Sequence, residues 1–332
     1  MNHPVVPARP EHTISPGRLA GHGGFGACVL SFFDGMHAHH RQLLSEGLSR
    51  CGGDPGSLLV IMAYVDDDPG CPASGVSCLL TPSERLQMLL ARGARHVLPW
   101  AFPRPHSAEP LMGWPAEPSL LAGKVPVFIP GADLWENPHF TSFLQEQKGD
   151  SGGPAGAVED TFRGSGDRLW QQISKLIETG SVEQASAKLG YAYPLEGLVV
   201  EGNRIGRTLG YPTANLRVLS ALKLLPMQGV YVGMARVEGS WHRGMINIGI
   251  RPTLDMANVT IEVHLFDYNQ NIYGQPIALA FLQRIRHEMR FSSLGELRHQ
   301  LDLDREKALE VFGELAPRLK INGDFVFLKV NG

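Results

Sequence analysis

A change of rhythm near Pro194 constrains this 332-residue chain more than any other feature. Upstream, apolar runs of strand length alternate with helical patterns. Ala27–Phe33 and Ser57–Val65 read as buried strands, and Met36–Arg50 between them as a helix. Thr81-Pro82-Ser83-Glu84 opens another helix with a capping box, Thr81 as N-cap and Pro82 in the first turn, and Gly93 closes it. His96–Phe102 and Val125–Ile129 read as further strands. Buried strands alternating with helices predict a parallel, doubly wound α/β sheet. Downstream, Leu198–Val200, Val230–Val237, Arg243–Ile248, Val259–Phe266 and Ile277–Leu282 are short β-type runs separated by glycines and turn residues. That spacing predicts an antiparallel barrel or sandwich, followed by a helix over Leu294–Leu315.

Two architectures in one chain imply two domains, which the length also favours. We place an α/β domain at 26–190, a flexible lead-in at 1–25, a Gly/Ser/Asp-rich loop or linker at 147–167, and a β domain at 194–330. Helices over Arg168–Glu178 and Ser181–Leu189, closed by Gly180 and Gly190, fill the join. Thirty basic against 33 acidic residues give a net charge of −3, which offers no surplus for a nucleic-acid or anionic-membrane partner. No 18-residue apolar run predicts a membrane span, and the Pro-rich N-terminus lacks the apolar core of a secretory signal. Cys28, Cys51, Cys71 and Cys78 form no CxxC pair, so a cytoplasmic location is expected, without disulfides or a zinc site.

Three strings mimic catalytic signatures in the wrong context. Gly149–Pro154 spells GDSGGP, but it sits in the linker and follows an α/β half instead of a β-barrel. Gly21–Gly26 matches GxGxxG, but precedes the first strand instead of following it. Gly202–Thr208 is one residue too short for a Walker loop and carries Arg where Lys belongs.

The segment Gly202–Asn215, GNRIGRTLGYPTAN, is the richest in chemistry. Gly202, Gly206 and Gly210 let a backbone approach a ligand closely, and Arg204 and Arg207 add positive charge. In an extended chain Thr213 and Asn215 point the same way, and their oxygens suit Mg²⁺. An ordinary glycine-rich surface loop would also carry these residues. In Val259–Phe266 the residues Val259, Ile261, Val263 and Leu265 form an apolar face expected to line the core. Glu262 stands on the opposite face, on a strand rigid enough for a general base, although a plain solvent-facing strand would look alike.

These segments resemble the riboflavin kinase family over roughly residues 194–315: PTAN, NIGxRPT, ExHLxD and YG…FLxxIRxExxF all occur in order. The resemblance implies a six-stranded antiparallel barrel with a C-terminal helix, transferring the γ-phosphoryl of ATP to the 5′-hydroxyl of riboflavin to give FMN. It implies Thr213 and Asn215 as Mg²⁺ and nucleotide ligands, and Gly202 and Arg207 on the phosphate side. Glu262 matches the base, Leu265, Asp267 and Tyr273 match positions near the nucleotide, and Arg286 and Phe291 match the flavin side.

Bacterial members often carry an FMN adenylyltransferase domain in front, and the first half resembles that Rossmann-like nucleotidyltransferase. Asp34, His37 and His40 match its GxFDGxHxGH pattern. Ser31 and His39 stand where that pattern has glycine. Gly131–Asn137 departs from GxDFxFG, and Arg168–Ser174 has lost the hydroxyl pair and arginine of ISSTxIR. Lost phosphate donors predict an impaired adenylyl site. The sequence therefore leads to a riboflavin kinase beside a weakened adenylyltransferase. A fully bifunctional FAD synthetase and a flavin-binding regulator without turnover are the alternatives. Oligomeric state is left open.

Overall fold

The computed structural model describes residues 24–65, 77–102, 127–130, 157–158, 167–202, 205–252 and 257–328. The chain divides into two compact units, Met1–Gln171 and Gln172–Gly332. The division falls inside a helix, ahead of the 190–194 join.

The first unit is a five-stranded parallel sheet ordered β3-β2-β1-β4-β5, with β1 at Ala27–Ser31, β2 at Leu58–Val65, β3 at His96–Phe102, β4 at Val127–Pro130 and β5 at Ala157–Val158. All five residues of β1 are buried, as expected for a strand covered on both faces. Helix α1 (Ala38–Arg50) follows β1, with His37 as its N-cap. Helix α2 (Pro82–Ala91) carries the predicted capping box: Glu84 N donates to Thr81 Oγ1 at 3.2 Å, and Thr81 N donates to Glu84 Oε2 at 2.8 Å. Sheet order reverses between β1 and β4, and the β1–α1 loop leaves β1 at that switch point. A doubly wound sheet opens its crevice there. Phe33 (φ 53°) and Met36 (φ 40°) hold left-handed backbone in this loop.

Two expectations need correction here. The stretch at 147–167 is not all linker, because Ala157 and Val158 pair with Val127 and Phe128 in the sheet. The lead-in does not extend to 25, because Phe25 is buried and meets the ring of His96 edge-on at 5.6 Å. The GDSGGP string and Gly131–Asn137 lie outside the described residues.

Helix α3 (Asp167–Glu178) begins in the first unit and ends in the second. Helix α4 (Val182–Leu189) follows, stopped by Gly190 in the left-handed region (φ 82°). The second unit is a closed barrel of β6 (Tyr193–Val200), β7 (Ala214–Val218), β8 (Gly229–Val237), β9 (Ser240–Pro252), β10 (Ala257–Leu265) and β11 (Pro276–Arg286). Its order is β10-β7-β6-β11-β8-β9, with every pair antiparallel. A single turn of helix, α5 (Ile205–Thr208), precedes β7. Helix α6 (Leu294–Leu315) and the hairpin β12 (Leu319–Asn322) and β13 (Phe325–Leu328) complete the unit.

The registers fix which side chains face inward. Val199 pairs with Leu216, Leu216 with Ile261, Ile261 with Ile248, Val263 with Ile246, Ile246 with Tyr231, and Leu279 with both Leu195 and Ala235. All of these are buried and form the barrel interior. A six-stranded barrel has a narrow bore, so small residues must alternate with large ones. Gly233 shows the fit: a Cβ there would lie 2.4 Å from Ile246 Cδ1. The alternate residues face outward. Val230, Val232, Met234, Met245, Ala280 and Leu282 form a second core with Ala308, Val311 and Phe312 of α6. Val259, expected to line the core, is 48% exposed. It pairs with the exposed Ile250 where β9 and β10 run past the end of the barrel.

Candidate active site

The second unit places a cavity of about 290 Å³ against the outer face of β7, β9 and β10. One wall is strand and the other is helix. Asn215, Glu262 and Asn247 stand in register on adjacent strands β7, β10 and β9, so three polar side chains form a row. Thr213 donates its hydroxyl proton to Glu262 Oε2 at 3.2 Å. That leaves the Thr213 oxygen with its lone pairs for a further partner. Gly202 packs against the Asn215 amide so closely that a Cβ would lie 2.0 Å from Nδ2. Only glycine leaves the amide this space.

The opposite wall is apolar. Leu297 and Leu301 of α6 face Leu209, Tyr211, Met245 and Val230 across the cavity. Arg286 and Phe291 lie between the two ends, the guanidinium 5.8 Å from the ring centre. Arg286 is locked in place: Nε donates to Asp304 Oδ1 at 2.9 Å and Nη2 to Oδ2 at 2.8 Å. Asp304 is 1% exposed and also accepts from Gln300 Nε2 at 2.9 Å. Tyr211 OH donates to Asp302 Oδ1 at 2.5 Å, tying the segment before Thr213 to α6. Burial, then that hydrogen bond, pushes the Tyr211 phenol up to about 12, so it stays protonated. His264 lines the cavity beside Glu262, and burial lowers its pKa although its bond to Pro212 works the other way.

Five sequence-selected residues thus meet at one cavity: Thr213, Asn215, Glu262, Arg286 and Phe291. Gly202 backs it. The others do not line it. Arg207 is exposed on α5, Leu265 is buried, and Asp267 sits in the turn after β10 at φ 55°. Tyr273 is 41% exposed, on a turn whose Gly274 N donates to Val199 O near the end of β6. Sequence reasoning missed Asn247 as a site residue. Its signal was present: a single amide on alternate spacing within the apolar run Met245–Ile250.

In the first unit the selected residues are engaged by the scaffold. Asp34 Oδ1 accepts from Leu80 N at 2.7 Å, and Oδ2 from Leu79 N at 3.1 Å and from Trp170 Nε1 at 2.8 Å. Arg85, 5% exposed, adds an ion pair at 3.4 Å. His37 and His40 are buried with their rings stacked at 4.1 Å. Burial, then the neighbouring His40, His39 and Arg41, lowers the His37 pKa to about 2. It is therefore a neutral imidazole. Among the described residues no group of three or more His, Cys, Asp or Glu is arranged to hold a metal.

The riboflavin kinase family matches residues 189–312, the stretch that holds the closed six-stranded barrel and this cavity. The bifunctional riboflavin kinase/FMN adenylyltransferase of Escherichia coli K12 is 30% identical over 300 residues, covering 87% of this chain and 94% of its own. The Bacillus subtilis protein of the same description is 26% identical over 303 residues, covering 86% and 92%. This chain belongs to the bifunctional riboflavin kinase/FMN adenylyltransferase family. A Streptococcus pneumoniae crystal structure described as a macrolide-efflux protein has a TM-score of 0.66 and 25% identity, covering 90% of this chain and 98% of that one. The likeness is one of fold. Among the described residues of this chain, no helix is long and apolar enough to cross a membrane.

Proposed function

We propose that the chain is an ATP:riboflavin 5′-phosphotransferase. The observation that carries this reading is the row Asn215–Glu262–Asn247, with Thr213 bonded to Glu262, facing an apolar wall across one cavity. Phosphoryl transfer needs positioning and charge neutralisation more than covalent chemistry. Glu262 accepts the proton of the ribityl 5′-hydroxyl as that oxygen bonds to the γ-phosphorus. The bond from the γ-phosphorus to the bridging oxygen breaks, and ADP leaves with the electron pair. The rigid strand under Glu262 keeps the base within reach of the hydroxyl. Thr213 and Asn215 fit Mg²⁺, because both present hard oxygen atoms and the glycine at 202 leaves room around the amide. When bound, the ion neutralises phosphate charge. The apolar wall and Phe291 suit the flavin ring, and the Arg286–Asp304 pair ties the end of β11, just before Phe291, to α6. Gly202 and Arg207 serve the phosphate side, and Leu265, Asp267 and Tyr273 act around the nucleotide from outside the cavity lining.

The first half reads as an adenylyltransferase domain with weakened activity. What favours this is Asp34, whose two oxygens are already held by two backbone amides, the Trp170 indole and Arg85. Trp170 lies in the segment where the resemblance places hydroxyl and arginine donors.

One assay tests both readings. The full chain is incubated with riboflavin, ATP and Mg²⁺, and flavins are resolved by chromatography over time. FMN accumulating without FAD is the expected result. FAD formation would make the chain a complete FAD synthetase. Bound flavin with neither product would make it a binding protein.

A further inference from the structure

Thr213 stands one residue past the end of a ladder. β7 begins at Ala214, and its pairing with β10 runs Leu216 to Ile261, Asn215 to Glu262 and Ala214 to Val263. The next pair in that register would be Thr213 with His264, but the ladder stops before it. Pro212 has no N–H with which to continue it. A strand end without ladder bonds frays. Yet Thr213 must be held for its hydroxyl to meet Glu262 at 3.2 Å.

His264 supplies what the backbone lacks. Its Nδ1 lies 2.8 Å from the Pro212 carbonyl oxygen. A carbonyl only accepts, so Nδ1 carries the proton. The imidazole itself stands on firm ground, because β10 is paired with β9 on both sides of it, at Val263 with Ile246 and at Leu265 with Gly244. The Tyr211 ring meets the imidazole edge-on at 5.1 Å, and the Tyr211 hydroxyl is anchored to Asp302.

We propose that His264 is a positioning residue. It acts through the Pro212 carbonyl to extend the β7–β10 ladder by one side-chain bond, and so holds Thr213 and Asn215 beside Glu262. The inference rests on reading those two residues as Mg²⁺–nucleotide ligands.

The test compares the full-length wild type with His264→Ala and His264→Asn. Asparagine keeps an N–H donor near the position of Nδ1, and alanine removes it. Hydrogen exchange over residues 209–218 is expected to quicken about tenfold in His264→Ala, the equivalent of one lost hydrogen bond, and to return to within about twofold in His264→Asn. Calorimetry with ADP and Mg²⁺ is expected to show about tenfold weaker binding for His264→Ala. Riboflavin binding without nucleotide, followed by flavin fluorescence, should weaken less than ADP binding does. Unaltered exchange in His264→Ala would overturn the proposal. So would an asparagine variant no better than alanine, or an equal loss of both ligands, which marks a general packing role. If the wild type binds ADP and riboflavin but makes no FMN, the phosphotransferase reading falls while the exchange comparison still decides the role of His264.

Discussion

The two halves of this chain treat their polar residues in opposite ways. In the barrel, Thr213, Asn215, Asn247 and Glu262 face a cavity, and the interior is closed by other side chains. In the α/β half, Asp34 joins the β1–α1 loop to the amides of Leu79 and Leu80 and to Trp170, and His37 and His40 stack out of solvent. Motif residues thus face a cavity in one half and bond to the surrounding scaffold in the other.

The largest effect expected from this contrast is on Glu262. Glu262→Ala should slow FMN formation by roughly 10²- to 10⁴-fold, the usual range for a lost general base, with unfolding unchanged. A rate within a few-fold of wild type would remove Glu262 from that role. Asp34→Ala should do the reverse. It leaves Arg85 buried without its carboxylate, and should lower the stability of the first unit by about 3 kcal/mol in urea while FMN formation continues. Unchanged stability would show a spare carboxylate and undo the contrast. Acidification should sharpen it. The His37 pKa is about 2 when folded against an ordinary 6.5, so below pH 6.5 the unfolded chain takes up a proton that the folded chain refuses. The stability of the first unit should thus be level above 6.5 and fall toward pH 2, by about 1.4 kcal/mol per pH unit for this group. Urea midpoints between pH 7.5 and 5 should follow that slope, and His37→Gln should flatten it. The smallest effect belongs to Trp170→Phe, which removes one hydrogen bond to a carboxylate and should cost about 1.5 kcal/mol in the same titration.

Most of the architecture was legible in the chain. The box at Thr81–Glu84, the strand His96–Phe102 and the helix Leu294–Leu315 appear as read. These are elements whose pattern is local. Strand β7 was missed because Ala214–Val218 buries only Leu216 and so shows no alternation. The β12–β13 hairpin was missed as well, since Leu319–Asn322 has no buried residue. Glu262, Thr213 and Asn215 could be picked out by residue type and spacing. Asn247 carried only a weak signal, one amide in an apolar run, and its place beside Glu262 comes from register across strands. The bond from Trp170 to Asp34 spans 136 positions of sequence, and nothing in either segment announces it.

The barrel strands interleave two scripts. Along β10, Ile261, Val263 and Leu265 are buried, while Glu262 and His264 open onto the cavity. β9 alternates likewise, with Ile246 and Ile248 turned inward and Met245 and Asn247 at the cavity. On these two strands one set of side chains fills the barrel and the alternate set lines the cavity. A variant library confined to Asn247, Glu262 and His264 can rewrite what the cavity accepts without touching the hydrocarbon packing inside the barrel or under α6.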